Sequence, residues 1–224
     1  MTGRSSIAFA LLVLIAASIG MAVTAVERSP AFLTQPSART YLAEAVLALV
    51  AYACAVIVIV MRRGAAWEVE LKNGALFGGI AGLIEIINIA IENGIPSAVQ
   101  GPGIQITAML VLFAIWGIAG GWTAKELGSF RSGLIASALG AGVSMVIGVA
   151  AGFALEFFIA PPQPAYVAAW GEFKRSGWSD PSAFGIANTL DSGFSHLVIA
   201  PVVGIVVGSL GAWIGCRRLN LSKR

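Results

Sequence analysis

Six long apolar stretches alternate with short polar segments along the chain. Each holds about 20 residues or more, the length that a helix needs to cross a hydrocarbon core of about 30 Å. Backbone groups in lipid must satisfy their own hydrogen bonds, so these stretches are expected to be helical. The pattern predicts an all-α, polytopic integral membrane helix bundle in which residues 1–224 form a single transmembrane domain. The six predicted spans are Ile7–Val26, Tyr41–Met61, Gly74–Asn93, Gly103–Ala124, Ser132–Ala160 and Ile186–Gly215.

The first stretch has two interpretations. Arg4, the apolar run from Ile7 and the small residues of Ala22–Ala25 are also features of a cleavable secretory signal peptide. The apolar run continues to Val26, whereas the apolar region of a signal peptide has about 7–15 residues. A transmembrane helix is therefore the prediction, and a cleaved signal is the alternative.

Basic residues are divided unevenly between the two sides of the predicted bundle. Cytoplasmic loops of membrane proteins carry an excess of Lys and Arg, so the side richer in these residues is expected to be cytoplasmic. This distribution predicts a multi-pass protein of the inner cell membrane with both termini cytoplasmic. The richer side carries Arg4, Arg62, Arg63, Lys72, Lys125, Arg131, Arg217, Arg218, Lys223 and Arg224, and the other side carries Arg28, Arg39, Lys174 and Arg175.

The longest connection on the predicted outer side covers residues 161–185 and is rich in aromatic residues. Tyr166, Trp170 and Phe173 follow at i, i+4 and i+7, a spacing that predicts a short amphipathic helix in the membrane interface. Because aromatic residues are enriched at membrane interfaces, the segment is interpreted as an anchor. A lid over an outward-facing cavity is the other interpretation.

Small residues recur at every fourth position in several predicted spans. Gly74, Gly78 and Gly82 form one such stripe. Small residues at this spacing let helices approach closely in lipid, which predicts tight packing between the spans. Pro201 lies within the last span and has no N–H, so a kink is expected near Leu197.

The composition agrees with a membrane protein and excludes several other classes. Apolar residues make up 58% of the chain and charged residues 11%, against about 45–50% and about 25% in soluble domains. A soluble fold could not bury that much apolar surface and still present a charged exterior. Disorder, a disulfide-stapled secreted fold and a nucleic-acid module are likewise excluded. Cys54 and Cys216 are predicted at different depths, so no disulfide is expected between them.

The charged residues are divided between the borders and the interiors of the spans. An ionised acid at the centre of a bilayer costs about 3 kcal/mol on insertion scales. Each buried acid therefore needs a proton, a hydrogen-bond donor, nearby water or a bound cation. All fourteen Lys and Arg lie outside the spans or at their ends, whereas five of the eleven acids lie within them: Glu44, Glu85, Glu92, Glu156 and Asp191.

Four of these acids and the single histidine converge on the outer half of the predicted membrane, and the fifth acid, Glu85, lies deeper. Glu85, Asn88 and Glu92 follow at i, i+3 and i+7 and therefore share one face of a helix. We expect a polar, acidic pocket that is open to the outside, with Glu85 as the deep carboxylate near mid-membrane. The residues expected to bind a substrate or ion are Glu85, Asn88, Glu92, Glu156, Asp191 and His196.

A structural role is the alternative for several of these residues. Glu44, Glu92 and Glu156 lie a few residues from a helix end, where a carboxylate can reach the lipid headgroups. His196 is interpreted as a hydrogen-bonded packing residue, or, within a pocket, as a pH-sensitive partner of Asp191 or a metal ligand.

Catalytic and cofactor-binding motifs are absent from the sequence. No zinc protease pattern, phosphate-binding loop or dinucleotide fingerprint occurs. The adjacent Ser195 and His196 would point about 100° apart on a helix, so one could not deprotonate the other. We therefore expect neither enzyme activity nor a cofactor.

The prediction for function is a small transporter or channel for protons, metal cations or a cationic solute. A non-catalytic membrane subunit or scaffold of a larger complex is the alternative. The expected partners are the lipid bilayer, the cation or small solute, and a second copy of the chain or another membrane protein. No nucleic acid is expected to bind.

Overall fold

The computed structural model describes residues 3–94 and 102–221, and these residues form helices without any strand. A π-helix, Leu155–Ile159, continues the sixth α-helix directly. The predicted outer connection at 94–102 falls largely outside the described residues, as do Lys223 and Arg224 of the predicted cytoplasmic side. The α-helices are α1 (Gly3–Glu27), α2 (Pro30–Leu33), α3 (Ala38–Met61), α4 (Ala65–Gly94), α5 (Pro102–Leu127), α6 (Phe130–Ala154), α7 (Pro164–Ala169), α8 (Gly171–Ser176) and α9 (Pro181–Leu221).

Six helices are long and apolar enough to span a membrane. They are α1, α3, α4, α5, α6 with its π-helical extension, and α9, whose most apolar stretches have mean hydropathies of 1.9–2.6. The prediction of an all-helical chain with six such helices is confirmed, and it is compatible with a multi-pass membrane protein. The helices extend past the predicted spans because they continue through polar residues. Thus α4 begins at Ala65 rather than Gly74, and α9 begins at Pro181 rather than Ile186.

The connection between α5 and α6 reverses the chain within Gly128 and Ser129. Gly128 has a φ of +65°, in the left-handed region that glycine adopts without steric cost. The Ser129 hydroxyl accepts a hydrogen bond from the Ser132 N–H at 3.2 Å and so caps the start of α6. This short turn brings α5 and α6 side by side.

The central helix of the bundle is α6. In the most apolar stretch of α6, 61% of the residues are buried, whereas the corresponding share is 17–28% in the other five long helices. Neighbouring helices approach one another closely at glycines. A Cβ added to Gly78 of α4, for example, would lie 2.7 Å from the Gly140 oxygen of α6. A Cβ at Gly120 of α5 would lie 2.8 Å from the Gly208 oxygen of α9. The predicted close packing through the stripe of Gly74, Gly78 and Gly82 is confirmed at the first contact, whereas Gly120 was not part of a predicted stripe.

Pro201 lies inside α9, and the helix continues through it. A proline has no N–H, so the Leu197 oxygen, four residues earlier, loses its usual partner. The Tyr52 hydroxyl of α3 donates a hydrogen bond to this oxygen at 2.7 Å. This side-chain hydrogen bond satisfies the carbonyl that Pro201 leaves without its helical donor, and the kink expected near Leu197 stays a prediction.

The aromatic segment predicted on the outer side, residues 161–185, contains two short helices instead of the single predicted one. Trp170 has an extended ψ of 139°, which separates α7 from α8. The aromatic side chains pack against the start of α9, where the Phe184 ring centroid lies 5.5 Å from that of Phe173 and 5.9 Å from that of Trp178. Trp178 is buried and also contacts Phe32 of α2. The segment is thus folded onto the bundle.

Candidate functional site

A cavity of about 600 Å³ lies among α4, α5, α6 and α9. Five of the six predicted site residues line it: Glu85, Asn88, Glu92, Glu156 and His196. None of the described residues that line the cavity is a lysine or an arginine. The structure therefore brings three carboxylates and the histidine around one space.

The cavity lies towards one end of the bundle. At the other end α5 and α9 are in contact through glycines, and a Cβ at Gly121 would lie 2.9 Å from the Gly211 oxygen. The polar residues of α4 and α9, among them Glu85 and His196, line the cavity.

Glu85 is packed against a glycine of the central helix. A Cβ at Gly148 of α6 would lie 2.7 Å from Cγ of Glu85, so only glycine leaves room for the acid at this position. The Glu85 side chain is half-buried and faces the cavity wall that Gly148 also forms. Gly148 of α6 thus leaves the space that the Glu85 side chain occupies.

Asn88 and Glu92 interact along α4, as their i, i+4 spacing allows. The Asn88 amide nitrogen donates a hydrogen bond to Oε1 of Glu92 at 3.1 Å. The amide oxygen of Asn88 is buried and has no hydrogen-bond partner among the described residues. The predicted shared face of Glu85, Asn88 and Glu92 therefore corresponds to one wall of the cavity.

Glu156 lies in the π-helical segment and contacts α9. The Thr189 hydroxyl and Oε2 of Glu156 form a hydrogen bond, and the same hydroxyl lies 3.0 Å from the Gly185 oxygen. Thr189 is buried and lines the cavity, but the sequence reasoning did not identify it. The sequence feature that could have indicated Thr189 is its spacing from His196. The two residues are seven positions apart and therefore share one side of the helix.

His196 is held by its own helix. Its Nδ1 lies 2.7 Å from the Ser192 carbonyl oxygen, which can only accept a hydrogen bond. Nδ1 therefore carries the proton in the neutral ring, and Nε2 is the nitrogen that can accept a proton or a hydrogen bond. The imidazole is exposed and lines the cavity.

Asp191 is the predicted site residue that does not line the cavity among the described residues. Its side chain is exposed, whereas Asn188, Ser192 and Ser195 do line the cavity. Successive residues of an α-helix are rotated by about 100° about its axis. This places Asp191 about 40° round α9 from Ser195, just outside the side of the helix that faces the cavity. Proximity in sequence to the other polar residues was therefore insufficient to place it in the site.

The described residues contain no group of three His, Cys, Asp or Glu side chains that could hold a metal ion. The cavity wall is instead partly aromatic, with Phe113, Trp116 and Phe153 among its lining residues. Phe113 and Trp116 pack together with ring centroids 5.6 Å apart. Such faces attract organic cations as well as apolar groups.

A second polar cluster, which was not predicted, lies at the end of the bundle away from the cavity, where α4 begins and α5 ends. The Asn73 amide nitrogen donates hydrogen bonds to Oγ1 of Thr123 at 3.1 Å and to Oε2 of Glu126 at 3.0 Å. Asn73 and Thr123 are buried, and so is Glu70 one turn away. The apolar pattern did not indicate Asn73 or Glu70, because the predicted span began at Gly74, after both residues.

Comparison of the chain with known protein families, curated proteins and solved structures found no match in any of the three sets.

Proposed function

We propose that the chain is a membrane transporter or channel that binds a proton or an organic cationic solute in the cavity. The observation that carries this proposal is the grouping of Glu85, Glu92 and Glu156 around one space that no described lysine or arginine lines. A carboxylate in a low-dielectric setting favours a nearby proton or cation over leaving its charge uncompensated.

The residues around the cavity have distinct roles in this proposal. Glu85 is the deep carboxylate, and Nε2 of His196 offers a second proton-accepting group. Phe113 and Trp116 supply apolar and cation–π contacts to the body of an organic cation. The cavity volume of about 600 Å³ is within the range of small-molecule sites, about 300–1,000 Å³. An organic cation is preferred to a bare metal ion because no three His, Cys, Asp or Glu side chains are grouped as metal ligands among the described residues.

The proposed setting is the inner cell membrane, with both termini cytoplasmic. The excess of Lys and Arg on one side of the predicted spans supports this orientation. The cavity residues of α4 and α6 lie towards the ends of these helices on the opposite, outer side. In this orientation the cavity accepts its ligand from outside the cell.

The proposal is tested by reconstituting the full-length chain into liposomes that contain a pH-sensitive dye. An imposed membrane potential is expected to drive proton uptake faster than in liposomes without protein, or to make a radiolabelled, membrane-impermeant organic cation accumulate only when the protein is present. If neither flux exceeds that of the empty liposomes, the transport proposal is wrong. A stable complex with another membrane protein after purification in mild detergent would then favour the alternative, a non-catalytic subunit or scaffold.

A further inference from the structure

A second cavity, of about 410 Å³, adjoins the first at the outer end of the bundle. Its walls come from the end of α1, the segment that follows the π-helix and the start of α9. Glu156 and Thr189 are the two described residues that line both cavities. A single hydrogen-bonded pair therefore lies where the two spaces meet.

We propose that the second cavity is an outer vestibule on the ligand path, and that the Glu156–Thr189 pair is the barrier between it and the deep cavity. This inference rests on the proposed function, because it assigns an access route and a point of regulation to the same site. When the pair is formed, the two cavities are separate. When the Glu156 side chain moves away from Thr189, the two become one passage.

Opening the pair costs little because Thr189 has a second acceptor. Its hydroxyl lies 3.0 Å from the Gly185 oxygen, so it keeps a hydrogen bond when Glu156 leaves. Leaving a buried hydroxyl without any partner would carry a desolvation penalty, and this arrangement avoids it. The threonine can therefore remain in place in both states.

Glu156 also lies on the π-helix Leu155–Ile159, none of whose residues is buried. The turn is joined to α6 by its neighbour Phe157, whose ring centroid lies 5.0 Å from that of Phe153. Single π-helical turns occur frequently at functional sites, and their i→i+5 hydrogen bonds are rare compared with those of α-helices. A local change in this turn moves Glu156 without disturbing the glycine contacts that hold α6 in the bundle.

The vestibule supplies a counter-charge for the moved carboxylate. Arg28 and Glu156 are the charged residues among those described as lining the second cavity. The Arg28 guanidinium lies over the ring of Phe158, 5.4 Å from its centroid, so it is held against the same π-helical turn. One positive and one negative group together leave the vestibule without net charge, which suits passage better than tight binding of a cation.

The experiment measures how fast a cysteine in the deep cavity reacts with a charged, membrane-impermeant thiol reagent added from outside. The reporter is Val203→Cys, which lies in the lining of the deep cavity, in a chain that also carries Cys54→Ala and Cys216→Ala. Thr189→Val removes the hydroxyl at similar volume, and Thr189→Ser keeps it. Thr189→Val is expected to label about fivefold faster than the parent, as the loss of one buried hydrogen bond implies. Thr189→Ser is expected to label at the parental rate.

A second pair of variants repeats the comparison from the other residue. Glu156→Gln keeps a hydrogen-bond acceptor for Thr189 and is expected to label like the parent, whereas Glu156→Ala is expected to label like Thr189→Val. Ser182→Cys, in the wall of the second cavity, is the control reporter, and its rate should be the same in every variant. An unchanged control rate shows that a faster Val203→Cys reaction does not come from misfolding.

Equal labelling rates of Val203→Cys in all variants, or rapid labelling already in the parent, would overturn the barrier. Labelling requires no ligand flux, so this result is independent of the liposome assay. A chain that transports cations but shows equal labelling keeps its proposed function and loses the proposed barrier. A chain without flux loses the function, whatever the labelling rates.

Discussion

The Tyr52 hydroxyl lies 2.7 Å from the Leu197 carbonyl oxygen, the backbone group that Pro201 leaves without its helical donor. Leu197 directly follows His196 in the cavity wall and is itself buried. A tyrosine on α3 thus stabilises α9 at the point where its backbone hydrogen bonding is interrupted. The relationship links the shape of the cavity wall to a single hydrogen bond from another helix.

Tyr52→Phe is expected to lower the free energy of unfolding by about 1–2 kcal/mol, because the Leu197 carbonyl loses its donor in a buried setting. The measurement is thermal or denaturant unfolding of the purified protein in detergent. Pro201→Ala supplies an N–H to the same carbonyl, so in that background Tyr52→Phe should cost clearly less. An equal cost in both backgrounds would show that the hydroxyl does not act through Leu197.

Gly148→Ala is expected to reduce ligand flux by about tenfold, because small displacements of a positioned group have large effects on its chemistry. The added Cβ would lie 2.7 Å from Cγ of Glu85 and would push the deep carboxylate out of place. Gly152→Ala is the matched control, since its Cβ would lie 3.8 Å from Ile89, an ordinary contact. Initial flux rates in liposomes are compared at equal protein content. Similar rates in the two variants would contradict the positioning of Glu85 by Gly148.

Asn73→Ala is expected to destabilise the protein by about 1–3 kcal/mol, because Thr123 and Glu126 both lose a donor in a largely buried cluster. Unfolding in detergent is again the measurement. Asn188→Ala is the control, because Asn188 is exposed and its loss should change the stability little. Equal stability of both variants would mean that the Asn73 cluster does not hold α4 and α5 together.

Much of the fold follows from the sequence, because length and apolarity are local properties. The six apolar stretches predict the six long helices, and the Gly74, Gly78 and Gly82 stripe predicts the face that α4 turns to α6. The i, i+3, i+7 spacing also predicts that Glu85, Asn88 and Glu92 share a wall. Each of these inferences depends only on the geometry of one helix.

The remaining features depend on contacts between helices and were not predictable from one segment at a time. The spacing of Thr189 and His196 indicates a shared face of α9, but the hydrogen bond of Thr189 with Glu156 depends on how α9 packs against the π-helix. Asn73 lies before the apolar stretch and acquires its role only through α5. Asp191 has the right residue type but points away from the cavity. The extended backbone at Trp170 likewise divides a segment whose spacing predicts one helix.

The most direct test of the proposed function compares Glu85→Gln with Glu44→Gln in the liposome flux assay. Both residues are half-buried acids on long helices, but only Glu85 lines the cavity among α4, α5, α6 and α9. Glu85→Gln keeps the shape of the side chain and removes its charge and its titratable proton. Flux is expected to fall at least about tenfold in Glu85→Gln, because the ligand loses its main charge partner, and to stay at the parental rate in Glu44→Gln. Undiminished flux in Glu85→Gln would contradict a role for the deep carboxylate in transport.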